Sequence, residues 1–400
     1  MKHIWALLFI HLFLLPVGCK KTDRSGAGQE ATGSSCQPIT SLSSAIREAV
    51  YIPLGTNRKN LMRDPIKLYE FQGNLYIQDQ GGGGIFVFSN EGKFLRYISF
   101  PGDGPGEFRR IRDFTLSTLH RQVIILNERN ALQFFSFEGV FQKEIKAPFY
   151  FERLEALPDG TMAFLHEHNL NEQNPQLAGK KFIHTDSSFH ILFAGIDYRP
   201  VDAISLSSGN PFFYDPLQKV LLLGNKLHNE VLEYNYRDKI LSPWLNLNFG
   251  SETLQFEEIE HISDRDTYFR YINLNKKRSF DGNFLVYSNK IWAPFYEVEK
   301  GGGAIFDLKG GLLDCYLGTG LQRISPGGQN SSSLLFTIPI GVTEKRDKLI
   351  GFIDPEQLSF LTAELKKANI VIPADWPRVK PSDNPILVLF TLERAEDSPN

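Results

Sequence analysis

Residues 66–100 read IKLYEF, QGN, LYIQD, QGGGG, IFVFS, NEG and KFLRYISF in succession. Four short runs, alternating or wholly apolar, are separated by three turns that carry Gly or Asn, the residues that tolerate left-handed backbone at no steric cost. That pattern predicts four antiparallel strands in a row, the content of one propeller blade. A second copy follows: FRRIRDFTLS, TLHR, QVIILN, ERN, ALQFFSF, EG and VFQKEIKA over 108–147. Asn90-Glu91-Gly92 and Phe137-Glu138-Gly139 hold the same turn before the outermost strand. The spacing gives an internal repeat of roughly 40 to 50 residues, the period at which propellers are read.

Further copies are more worn. A third blade is expected from residues 154–168 and 180–196, interrupted by a polar insertion from Asn169 to Gly179. A fourth is expected over 212–247. The fifth spans 283–318, with Gly301 to Gly303 echoing the turn of Gly81 to Gly84. A sixth begins at 333–353. Residues 356–368, EQLSFLTAELKKA, are the one strongly helical stretch, and NPILVLFTLE supplies a last strand. The fold class is therefore all-β: a six-bladed β-propeller of four-stranded antiparallel blades with a short C-terminal helix. A seventh blade is the alternative, if the worn middle hides another copy. An open ring would expose two sheet edges, so residues 45–54 and 384–393 are expected in the same or neighbouring strands, as a clasp.

The opening residues carry a charged start, an apolar run from Ile4 to Leu15 and Pro16-Val17-Gly18-Cys19. The run is too short for a mature membrane span and has the layout of a secretory signal peptide. The domain plan is a lipoprotein signal peptide over 1–18, a flexible tether over 19–43 and the propeller over 44–400. The tether, rich in Gly, Ser, Thr and charge, cannot bury enough apolar surface to offset its chain entropy. Cys36 and Cys315, the cysteines besides Cys19, are able to pair in an oxidising compartment. A net charge of −3 gives no basic footprint, so nucleic acid is excluded as a partner.

Pro16-Val17-Gly18-Cys19 resembles the bacterial lipobox, with Pro16 where Leu is usual and Leu15 one place earlier. The resemblance implies lipid attachment at Cys19. Residues 75–108 resemble the NHL-like repeat, in which an Asp closes the second strand. GDGPGEF, residues 102–108, and SDNPILVLF, residues 382–390, are similar to signatures of six-bladed β-propeller lipoproteins of Bacteroidetes-type bacteria. The second blade departs from the pattern, with Ala147-Pro148 in place of a Gly-rich exit. The resemblance implies a propeller fold and an outer-membrane lipoprotein facing the periplasm or the cell surface. It carries no biochemical activity.

Polar residues that open the inner strands of a propeller face its channel. Arg109, Arg110, Arg112 and Asp113 open the second blade, Glu152 and Arg153 the third, and Arg265, Asp266 and Arg270 precede the fifth. Arg109, Arg112, Asp113, Glu152, Arg153 and Arg270 are the candidate ligand-binding set of a charged funnel; mutual ion pairing is the plainer reading of the same residues. His166 and His168, two apart on an extended chain, are the candidate metal ligands. Tyr150, Tyr214, Trp244 and Trp292 are candidates for stacking on sugar rings, or for burial between blades. In GDGPGEF the glycines permit unusual backbone angles, Glu107 is placed to accept backbone N–H bonds and Phe108 to pack between blades. No nucleophile elbow, zinc-protease or phosphate-loop sequence is present, and no catalytic residue is predicted. No cofactor is predicted, with calcium or another divalent ion left open. The expected function is a lipid-anchored binding module for a peptide, glycan or partner protein. The alternative is a metal-assisted propeller enzyme of the envelope, a lyase or lactonase-like hydrolase.

Overall fold

A computed structural model of the chain describes residues 37–38, 46–56, 61–80, 83–98, 101–168, 171–204, 209–297, 300–317, 339–358, 362 and 379–392. Among these, the strands form six antiparallel blades in a ring. The first described strands, β1 (Gln37–Pro38) and β2 (Ile46–Pro53), belong to the last two blades. Blade 1 is β3 (Pro65–Phe71), β4 (Asn74–Asp79), β5 (Gly84–Ser89) and β6 (Phe94–Ile98). Blade 2 is β7 (Ile111–Ser117), β8 (Gln122–Asn127), β9 (Ala131–Ser136) and β10 (Phe141–Lys146). Blade 3 is β11 (Arg153–Ala156), β12 (Met162–Leu165), β13 (Lys180–Thr185) and β14 (Ile191–Asp197). Blade 4 is β15 (Phe212–Asp215), β16 (Val220–Asn225), β17 (Glu230–Asn235) and β18 (Ile240–Asn246). A helix, α1 (Arg265–Asn275), precedes blade 5. That blade has a split inner strand, β19 (Ser279–Phe280) and β20 (Leu285–Tyr287), then β21 (Lys290–Glu297), β22 (Lys300–Asp307) and β23 (Leu312–Leu317). Blade 6 is β24 (Gly341–Val342), β25 (Leu349–Ile353), β26 (Ile386–Leu392) and β2.

Second and third strands are apolar almost throughout because neighbouring blades cover both their faces. β16 is buried at every position, whereas the outer strand β10 is largely exposed. Six apolar clusters result, one at each blade junction. Tyr76, Ile85 and Val87 of blade 1 pack against Phe114, Leu116 and Phe135 of blade 2. Ile350 and Leu387 of blade 6 return to Leu68, Leu75 and Ile77 of blade 1, which completes the circle.

The ring is closed by its two ends, as the clasp expectation requires. β2 pairs antiparallel with β26, from Ile46 opposite Leu392 to Pro53 opposite Ile386. Asn384, in the SDNPILVLF stretch, is buried at the same seam. Its Oδ1 accepts from Met62 N at 2.8 Å, and its Nδ2 donates to the Gly55 carbonyl at 3.0 Å. A second seam lies on blade 5, where β1 pairs parallel with β23 and Gln37 lies opposite Tyr316. The adjacent Cys315 is buried and disulfide-bonded. Cys36, its expected partner, lies outside the described residues. Non-reducing peptide mapping is expected to recover a Cys36–Cys315 cross-linked peptide, and Cys315→Ser to cost about 2–4 kcal/mol; a free thiol at Cys36 in the mature protein contradicts this pairing.

Two placements differ from expectation, and one stretch lies mostly outside the described residues. A helix, α1, precedes blade 5; of the predicted helical stretch 356–368 the described residues give a 3-10 turn at Pro355–Gln357 and helical backbone at Leu358 and Thr362. Arg265, Asp266 and Arg270 therefore sit on α1, exposed, rather than beside an inner strand facing the channel. Gly302 and Gly303 are likewise strand residues within β22, not a turn. A Cβ on Gly303 would lie 1.8 Å from the Trp292 ring, so glycine there makes room for a buried tryptophan. GDGPGEF behaves as expected: Gly104 N donates to Glu107 Oε2 at 2.8 Å and Phe108 is buried between blades 1 and 2. Gly106, at φ +80°, lies where a Cβ would strike the Phe141 ring.

Candidate functional site

In each blade the end of the second strand and the connection to the next blade open on the same face of the ring. On that face, between blades 3, 4 and 5, lies a partly open cavity of about 460 Å³, counting the space continuous with solvent. Its walls come from the end of β12 (Leu165, His166, Glu167), from Lys181 of β13, from Gly224, Asn225 and Lys226 at the end of β16, and from Asp281, Gly282 and Asn283 ahead of β20. Arg153, at the start of β11, reaches it from the channel side.

A small second core caps the ring beside this cavity. Val201 and Ile204 from the connection between blades 3 and 4, Leu227, and Leu254, Ile259, Ile262, Tyr268 and Ile272 from the connection between blades 4 and 5 form one buried cluster. Asp264 starts α1 by accepting from Thr267 N at 2.8 Å. Tyr268 and Ile272, one turn apart, are its buried face.

The cap and the cavity are joined by paired lysines. Lys181 Nζ donates to Asp202 Oδ1 at 2.7 Å and to Asn225 Oδ1 at 3.2 Å. Lys226 Nζ meets Glu167 Oε2 at 3.0 Å and donates to the Ile204 carbonyl at 3.0 Å. Burial pushes the Lys181 ammonium below its ordinary range, and Asp202 opposes that shift. The Asp281-Gly282-Asn283 turn lies against Gly224 so closely that a Cβ on Gly224 would sit 1.9 Å from the Gly282 carbonyl oxygen. Glycine at 224 is thus what lets blade 5 form this wall.

The Asp281 carboxyl is buried and, among the described residues, bonded to Asn283 alone: its Oδ1 accepts from Asn283 N at 2.8 Å and its Oδ2 from Asn283 Nδ2 at 3.2 Å. Desolvation raises its pKa to about 7. Glu155, buried between blades where it accepts from the Tyr69 hydroxyl, is likewise raised by burial to about 7. From the ordinary carboxylate range up to those values the folded chain holds protons that the unfolded chain has released. Both groups therefore make stability fall as pH rises through that interval. Asp281→Asn is expected to flatten the loss of thermal stability between about pH 5 and pH 8; a pH profile parallel to that of the unaltered protein would contradict a protonated Asp281.

His166 is wholly buried. Its Nδ1 lies 2.7 Å from the His168 carbonyl, and its Nε2 has no hydrogen-bond partner among the described residues. Burial lowers its pKa, against the pull of the His168 and Lys180 carbonyls, so the ring is neutral with its proton on Nδ1. Nε2 is then the ring's acceptor nitrogen, unpaired among the described residues.

The remaining predicted residues divide into three groups. Glu152, Arg153 and His168 stand at the rim beside the cavity. Glu152 Oε2 accepts from Glu167 N at 2.7 Å, and its Oε1 meets His168 Nδ1 at 2.8 Å. Burial opposes ionisation of Glu152, but these bonds together with Arg153 outweigh it and lower its pKa. Arg112 lies over the Tyr150 ring, 5.1 Å from its centre, and donates to the Glu128 carbonyl. Asp113 is an inter-blade residue, paired with Lys67, and Arg109 is exposed with Asp103. The His166 and His168 rings turn to different partners, and no group of three or more His, Cys, Asp or Glu among the described residues is arranged to hold a metal. Trp292 is buried within the blade 5–6 core. Sequence reasoning missed Lys181, Lys226 and Asp281; the signal for Lys181 was a lysine inside the apolar strand KKFIHT.

Among the described residues no helix is long and apolar enough to cross a membrane. A family model described as "Domain of unknown function (DUF4934)" matches residues 30–391. No curated protein matches the chain. Solved structures that share the fold include two from Bacteroides species. One is a Bacteroides fragilis protein inferred to be exported, 14% identical, with a TM-score of 0.63 over 90% of this chain and 98% of its own. The other is a member of the DUF4221 family from Bacteroides vulgatus, 12% identical, with a TM-score of 0.53 over 88% and 98%.

Proposed function

The chain belongs to the DUF4934 family, and we propose that its propeller is a binding module of the bacterial envelope whose ligand site is the capped cavity between blades 3, 4 and 5. One observation carries this reading: a buried, neutral His166, its Nε2 without a hydrogen-bond partner among the described residues, lines a cavity whose walls come from three blades and which two paired lysines tie to a neighbouring insertion. A buried polar atom without a partner costs about 1–3 kcal/mol unless something occupies the space beside it. Propeller blades supply a rigid frame for such a site, and no catalytic motif accompanies it. The proposed ligands are a peptide, a glycan or a segment of a partner protein that inserts one group there.

The signal-peptide layout and Cys19 support anchoring by lipid at the outer membrane, and the exported character inferred for the B. fragilis relative fits that location. Mass analysis of the mature N-terminus should find a diacylglyceryl cysteine at Cys19; an unacylated terminus elsewhere removes the anchoring half. For the binding half, a calorimetric screen of the detergent-solubilised full chain against glycans and peptides should give a ligand whose affinity falls at least about tenfold in Gly224→Val. A ligand that binds the variant undiminished would place the site elsewhere.

A further inference from the structure

Valence counting narrows the ligand. An ammonium has three N–H donors. Two of Lys181's go to Asp202 and Asn225, and two of Lys226's to Glu167 and the Ile204 carbonyl, so among the described residues one N–H of each is uncommitted. His166, whose Nε2 has no partner among the described residues, lines the same cavity. Two cationic side chains and one neutral acceptor thereby line one site, and the two kinds of group exclude different ligands. A cation would meet two ammoniums. A neutral hydrocarbon would leave all three polar atoms unsatisfied. A fully ionised phosphate would set an oxygen lone pair against the Nε2 lone pair, and it would bring two charges to lysines already partnered by Asp202 and Glu167.

Resting on the reading of the cavity as the ligand site, we propose that it takes a hydroxycarboxylate: a singly charged carboxylate held by Lys181 and Lys226, with a hydroxyl on a neighbouring carbon donating to His166 Nε2. Arg153 adds a further positive charge on the channel side. Asp281, buried without a cation bonded to it, adds little opposing charge where it is protonated, and its raised carboxyl pKa is consistent with that state. Sugar acids and free hydroxy acids share this chemistry.

The test is calorimetry on the detergent-solubilised full chain with glucuronate and a glucuronate-terminated disaccharide as sugar acids, lactate and malate as hydroxy acids, and glucose and a free-carboxylate tripeptide as contrasts. A sugar acid or a hydroxy acid should bind at least about tenfold more tightly than glucose or the tripeptide, the better arm identifying the source. Lys226→Met should weaken that binding by at least about tenfold. Because that variant leaves Glu167 without its cation and is at risk of misfolding, a second readout uses the unaltered chain. The 15N resonance of His166 Nε2 should shift on addition of the acid, as a bare ring nitrogen accepts a hydrogen bond, and should not move with acetate at equal occupancy. Absence of binding by every acid, or binding that leaves Nε2 unmoved, overturns the proposal. If glucose or the tripeptide binds instead and Gly224→Val weakens it, the hydroxycarboxylate proposal fails while the cavity remains the site; a ligand indifferent to Gly224→Val removes the site itself.

Discussion

Replacing Lys67 by Met is expected to destabilise the propeller by about 3–5 kcal/mol, because it strands a buried carboxylate. Lys67 of β3 and Asp113 of β7 meet at 2.8 Å with 2% exposure each, at the channel end of neighbouring inner strands. Each strand carries a register shift beside this pair, between Pro65 and Lys67 and between Ile111 and Asp113. Such bulges re-aim a side chain. Asp113 extends the link to a third blade, since its Oδ2 accepts from Leu154 N at 2.8 Å. Adding Asp113→Asn to Lys67→Met should therefore recover part of the loss: the amide oxygen still serves Leu154, and no charge is left unpaired. Denaturant melts of the single and double variants check this, and a double variant as unstable as the single would contradict the ion-pair account.

A chain lacking residues 46–53 should have no cooperatively folded state, a loss on the order of the 5–15 kcal/mol that stabilises a whole domain. Without β2, β26 presents an open edge, and the cluster that includes Tyr51 loses a wall. Open edges template association with other chains, so the shortened chain should also aggregate. A soluble monomer with a single sharp unfolding transition would show that the ring closes without this strand.

Much of this architecture was legible because a propeller repeats one local pattern. The turns at Asn90-Glu91-Gly92 and Phe137-Glu138-Gly139 fall at equivalent places in blades 1 and 2, and the sheet-edge argument alone pointed to the pairing of β2 with β26. The helix α1 escaped because Thr, Tyr, Phe and Asn dominate it. Those residues are indifferent helix formers, and a buried face of only Tyr268 and Ile272 leaves a faint apolar stripe. Polar inner-strand residues were visible, but not their roles: Asp113 ties blades together, whereas Arg153 reaches the cavity. Lys181, Lys226 and Asp281 converge from blades 3, 4 and 5, and no local spacing relates them.

Hydrogen–deuterium exchange on the full chain, with and without the tightest ligand from the binding screens, tests the central claim most directly. Protection should concentrate at residues 165–167, 181, 224–226 and 281–283 and spread into α1 through the shared cap. Protection confined to the opposite face, around the exposed Leu119, Val140, Leu217 and Ile240, would contradict it.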